Sequence, residues 1–116
     1  MAKLLAASTL FLSAFLVLAL SKKYLPKGQS GLLTFGAMGG FNHAKKIADN
    51  TNIFSLVANI GDSKSLIIHP SSTTHSQLSE SEQLETGVSQ DLIRLSVGLE
   101  DIDDLKQDLI NAFGKV

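Results

Sequence analysis

At 116 residues the chain has room for one small domain with a core of limited margin. A hydrophobic share of 44% and a net charge of −1 give a globular balance, not a disordered one, with no excess of Lys and Arg to grip nucleic acid. Cysteine is absent, which removes disulfides, thiolate metal sites and a cysteine nucleophile.

In chain order, the first segment is the odd one. Residues 4–20 carry no charge, with Lys3 before them and Lys22 and Lys23 after. A positive start, an apolar run and the small residues Ala19 and Ser21 predict an apolar N-terminal helix acting as a signal or membrane anchor, residues 1–21. A buried helix of a soluble protein is the other reading. Residues 24–31 are rich in turn formers and form a loop. Residues 32–36 are a short apolar strand. Phe41, Ala44, Ile47 and Ala48 then share one helical face, with Lys45, Lys46 and Asp49 turned outward, and residues 50–52 end that helix.

Residues 53–60 are apolar and bounded by Gly61 and Asp62, which predicts a second strand; residues 65–69 are a third, stopped by Pro70. A polar loop follows to Ser79. Ser79 and Glu82 have the spacing of a capping box, starting a short helix that ends at Gly87. Residues 91–98 alternate, with Ile93, Leu95 and Val97 on one face and Leu92, Arg94 and Ser96 on the other. In the last helix Ile102, Leu105, Leu109, Ile110 and Phe113 form an apolar stripe. Asp101, Asp103 and Asp104 occupy its first turn, and Gly114 stops it. The order of elements predicts an α+β fold with helices on one face of a mainly antiparallel or mixed sheet.

Few residues invite chemistry. His43, His69 and His75 make no metal-binding spacing, and His69 before Pro70 reads as a structural hydrogen-bonding group. Glu100, Asp101, Asp103 and Asp104 lack the pattern of a calcium loop, and helix capping accounts for them. No metal site is predicted. Gly36, Gly39 and Gly40 lack the Lys and Ser/Thr of a phosphate cradle. Arg94, the single arginine, sits mid-strand opposite the core-facing residues and needs a partner there. A neighbouring acid would serve, as would a ligand carboxylate held by two bonds.

Residues 60–75 read IGDSKSLIIHPSSTTH and residues 91–105 read DLIRLSVGLEDIDDL. These strings resemble the small C-terminal domain of the Cys/Met-metabolism family of pyridoxal-phosphate enzymes, of fold type I. The intervening SQLSESEQL at 76–84 looks most like the O-acetylhomoserine sulfhydrylase branch, and the similarity runs from about residue 20 to 113. The resemblance implies a transferase of transsulfuration and methionine biosynthesis. Its pyridoxal phosphate acts as an electron sink while acetate on the γ-carbon of an amino-acid substrate is replaced by sulfide, giving homocysteine. It also implies that Arg94 grips the substrate α-carboxylate, with Asn59 beside it.

The chain departs from the family where the cofactor is held. No Ser-x-Thr-Lys motif carries a Schiff-base lysine, and residues 4–20 stand where the small domain's opening helix would be. Residues 22–116 are therefore expected to be a partial C-terminal domain that binds no pyridoxal phosphate and has no catalytic residue of its own. It would be inactive alone and able to associate with a large cofactor domain or a homologous subunit. The family implies the cytoplasm; a working leader at 1–21 would instead mean secretion or anchoring through residues 4–20. The alternative function is a non-enzymatic interaction domain, exported or membrane-anchored.

Overall fold

The computed structural model describes residues 19–28 and 30–116. The chain divides into two units, Met1–Ser30 and Gly31–Val116. In the first, residues 19–24 are helical and a turn follows at 26–27, its entry marked by a bond from Leu25 N to Ser21 O of 2.7 Å. The predicted apolar helix falls almost wholly outside the described residues. Among those described, no helix is long and apolar enough to cross a membrane.

The second unit carries four strands and three α-helices: β1 (Leu32–Gly36), α1 (Gly40–Asp49), β2 (Ser55–Leu56), β3 (Leu66–Ile68), α2 (Glu80–Glu85), β4 (Leu92–Ser96) and α3 (Ile102–Phe113). A 3₁₀ turn spans Pro70–Ser72. The sheet order is β1-β4-β3-β2. β4 pairs antiparallel with both neighbours, Thr34 and Ile68 lying opposite Arg94, whereas β2 and β3 are parallel. The sheet is thus mixed and the fold α+β.

Period-2 alternation explains the core. Ile93 and Leu95 of β4 point to one face with Ile67 of β3. Ala44, Ile47 and Ala48 of α1 and Leu105 and Ala112 of α3 close over them. Ile67 and Ile93 are fully buried, each stabilising the fold by about 1.5–3 kcal/mol. The helix starts follow local chemistry. Ser79 caps α2 in a reciprocal box with Glu82, and Asp101 caps α3 by accepting from the main-chain N–H groups of Asp103 and Asp104.

Two expectations need correction. The strand predicted over 53–60 is only Ser55–Leu56, because the chain beyond leaves the sheet edge and turns back toward β4. The apolar stripe of α3 is narrower than the pattern suggested: Leu105 is buried as expected, but Ile102 and Ile110 are 57% and 60% exposed, and Asp108 and Ala112 are buried as well. The polar loop after Pro70 occurs as expected, and it is held by turns and by Gln83, which is buried in α2. Its amide donates to the carbonyls of His75 and Leu78 and accepts from the hydroxyl of Ser71.

Candidate functional site

Parallel strands cannot be joined by a tight turn, so the chain from β2 to β3 must cross a face of the sheet. Residues 57–65 make that crossing on the face opposite the helices, since the even-numbered β4 residues meet them. Arg94 Nη2 donates to the carbonyls of Ala58 (2.7 Å) and Asn59 (3.4 Å), and the Gly61 N–H donates to Ser96 Oγ (3.0 Å). The crossing segment and Arg94 enclose an open depression of about 620 Å³ lined by residues 58–63 and Arg94. Arg94 and Asn59, the two site residues expected from the sequence, are therefore brought together.

The far end of the crossing is braced. Glu100 accepts from the Ser65 N–H (2.8 Å) and from its hydroxyl (2.7 Å), while Ser65 Oγ accepts from the Gly98 N–H (2.8 Å). The Leu99 N–H donates to Ser63 O at 2.8 Å. Gly98 lies so close to this segment that a Cβ would sit 2.6 Å from Lys64 C and from Ser65 N, which only glycine permits. Gly61 turns the segment with φ of 72°. The main-chain N–H of Ser65, and then its hydroxyl, hold the Glu100 carboxyl below the usual carboxylate range. Glu100 is thus a loop brace rather than a helix cap, a role its place in an acidic run concealed.

Arg94 is half-buried and forms no ion pair with an acid among the described residues, whose two ion pairs are Lys45–Asp49 and Lys106–Asp103. Both of its hydrogen bonds use Nη2, so Nε and Nη1 have no partner among the described residues. A guanidinium held on one side by carbonyls, with its other donors open, can take a carboxylate by two bonds. Asp62 lines the same depression; Ser63 Oγ and the Lys64 N–H both donate to its Oδ1, at 3.3 and 3.2 Å.

The other polar groups singled out are structural or surface groups. His69 is buried; its Nε2 donates to Gln90 O (2.8 Å), its Nδ1 lies 2.8 Å from Ser72 Oγ, and its ring stands edge-on to Phe41. His43 and His75 make local bonds at the surface. No group of acids and histidines suited to a metal ion exists among the described residues.

Asp108 was not visible to sequence reasoning. It is 4% exposed, and it accepts from the main-chain N–H groups of Asn52 (2.8 Å), Ile53 (2.8 Å) and Phe54 (3.2 Å). Burial pushes its carboxyl up, but these N–H groups and the Asn52 amide outweigh that and hold it below the usual range. The bonds fix the entry to β2, where the crossing segment begins.

Fold and site together define an α+β domain that presents one arginine beneath a crossover loop. Residues 18–114 match the family described as Cys/Met metabolism PLP-dependent enzymes, and the chain belongs to that family. The O-acetyl-L-homoserine sulfhydrylase of Leptospira meyeri is 50% identical over 99 residues, which are 84% of this chain and 22% of that protein. The homocysteine synthase of Schizosaccharomyces pombe is 46% identical over 93 residues, 80% of this chain and 22% of that one. A crystal structure of a putative O-acetylhomoserine (thiol)-lyase from Campylobacter jejuni, which contains a pyridoxyl-lysine monophosphate, has a TM-score of 0.66 at 58% identity. That match covers 73% of this chain and 20% of the other. The chain spans about a fifth of the length of the curated relatives it matches.

The residues lining the depression do not fit pyridoxal phosphate. No lysine lines it to receive the aldehyde, and its lining has one cation, Arg94, and one acid, Asp62, where a phosphate would need an excess of donors and positive charge.

Proposed function

We propose that this chain provides the substrate-carboxylate grip of an O-acetylhomoserine sulfhydrylase, and that it acts only together with a large pyridoxal-phosphate domain. The observation that carries the reading is Arg94: half-buried, tethered to Ala58 O, with no acid as partner among the described residues and its remaining donors open beside Asn59. Support for the sulfhydrylase branch comes from relatives that carry that name at about half identity. In the proposed reaction, sulfide replaces the acetate of O-acetylhomoserine to give homocysteine, and the cofactor of the large domain supplies the electron sink. Arg94 would contribute by fixing the amino acid at its carboxylate, so that the γ-carbon has one orientation. The chain alone would bind no cofactor. The cytoplasm is the location this reading implies. No observation among the described residues favours an exported or anchored interaction domain.

A chimera tests the proposal. Residues 31–116 replace the matching segment of the Leptospira meyeri enzyme, and homocysteine formation from O-acetylhomoserine and sulfide is measured. The chimera should be active, and Arg94→Ala within it should raise KM by about 100-fold, the loss of roughly 3 kcal/mol for a charge-assisted pair. A folded, cofactor-loaded chimera that does not turn over O-acetylhomoserine would refute it.

A further inference from the structure

Residues 58–61 carry the two carbonyls that tether Arg94, and little tethers residues 58–61. Their side chains give no anchorage: Ala58, Asn59 and Gly61 are exposed, and Ile60 is 57% exposed. Among the described residues, hydrogen bonds join this stretch to the rest of the fold through two side chains, Arg94 and Ser96. Arg94 reaches it with Nη2, at the end of a long side chain that turns about several bonds. Ser96 reaches it with a hydroxyl one carbon from the main chain, accepting from the Gly61 N–H at 3.0 Å. That serine is 3% exposed, in a strand paired on both sides, with Leu32 of β1 and Leu66 of β3 opposite it. It stands two positions from Arg94, so the two share a face, about 7 Å apart along the strand. Short and fixed on both sides, Ser96 can locate the stretch; Arg94, long and jointed, can only follow it.

We infer that Ser96 is a positioning residue: by holding Gly61 it sets where the carbonyls of Ala58 and Asn59 stand, and they set the direction of the Arg94 guanidinium. Its effect on turnover rests on the proposed carboxylate role of Arg94; its effect on the guanidinium does not. Gly61 suits the arrangement. With φ of 72° it turns the chain just after the two carbonyls, so a pin at its N–H governs that turn. Gly61 is exposed, so water can take the place of Ser96 Oγ when the hydroxyl is removed, and the fold persists. What is lost is a guanidinium aligned before the substrate arrives, and the cost of ordering it then falls on binding.

Two measurements test this, both with Ser96→Ala. In the full chain, isotope-labelled, NMR follows rotation of the Arg94 guanidinium about its Nε–Cζ bond, which the tether at Nη2 slows. Ser96→Ala should quicken that rotation. In the chimera that carries residues 31–116, Ser96→Ala should raise KM for O-acetylhomoserine about 10-fold and leave kcat nearly unchanged, the mark of lost uniform binding. Placed on top of Arg94→Ala, it should raise KM no further, because Ser96 acts through Arg94. A KM that stays put in Ser96→Ala while Arg94→Ala raises it would overturn the inference and leave the carboxylate reading standing. A rise in KM with unchanged rotation, or one that recurs in the Arg94→Ala background, would overturn it as well, by showing a merely structural role. If Arg94→Ala itself leaves KM unchanged, the carboxylate reading fails, and rotation alone decides on Ser96: faster supports the positioning role, unchanged overturns it.

Discussion

Removing Asp108 should unfold the start of the site rather than the end of the helix that carries it. Asp108→Ala strips the acceptor from three consecutive main-chain N–H groups. Asn52 is exposed and can turn to water, but Ile53 is half-buried and Phe54 buried. Two N–H groups left short of a partner cost about 1–3 kcal/mol each, so the loss is about 2–6 kcal/mol. The unit Gly31–Val116 has roughly 4–13 kcal/mol in all at the usual stability per residue. Asp108→Asn keeps one carbonyl acceptor and should cost less, about 1–3 kcal/mol, which at a urea dependence of roughly 1 kcal/mol per molar lowers the midpoint by about 1–3 M. Acidity separates charge from shape. The folded carboxyl titrates below its ordinary value, so its contribution is complete above the unfolded pKa, near 4, and is lost as pH falls through the lower folded value. The gap in urea between the unmodified chain and the Asp108→Asn variant should therefore be wide at pH 7 and close as the pH drops below about 4. Equal midpoints at pH 7, or a gap that stays constant into acid, would show that these bonds do not stabilise the fold.

The remaining predictions concern the site. The full chain mixed with pyridoxal phosphate and reduced with borohydride should show no stoichiometric lysine adduct by mass spectrometry; one specific adduct would contradict the poor fit of the depression. Gly98→Ala forces a Cβ onto the main chain of the crossing segment and should cost about 1–3 kcal/mol, read as a lower urea midpoint, with broadened amide signals at 61–65. Ser65→Ala removes one of the two bonds from Ser65 to Glu100 and should move the Glu100 carboxyl part of the way back up toward the ordinary glutamate value, seen in its NMR titration.

What the sequence revealed was whatever local periodicity and capping encode. The buried face of α1, the reciprocal Ser79–Glu82 box and the alternation along β4 each depend on residues a few positions apart, and all three occur as read. Arg94 could be assigned to the outer face for the same reason. Groups that act across the fold were hidden. Asp108 looks like one more acid on a helix's polar side, yet its partners lie 54 to 56 positions earlier. Glu100 hides in an acidic run but reaches back 35 positions to Ser65. Ile102 and Ile110 fit the helical period, and nothing local reveals that no element of this unit covers them. Residues 53–60 read as strand because β-branched and apolar residues signal extended chain. Where such a chain leaves the sheet is decided by the distant Ser96 and Arg94.

The parallel pairing of β2 with β3 has a further consequence. Only nine residues, 57–65, separate the two strands, and they contain no helix. The depression is thus made of the connection itself. Ser55 and Leu56 cannot detach from Leu66 and Ile67 without slackening the segment that carries Asn59 and Asp62. The connecting loop and the sheet margin then form one unit of local opening, and main-chain amides on both should exchange with solvent at a common rate, slower than an untethered surface loop and faster than β4. The shape of the depression and the integrity of the sheet margin become a single property of this chain, and neither can be tuned by evolution or by engineering without moving the other.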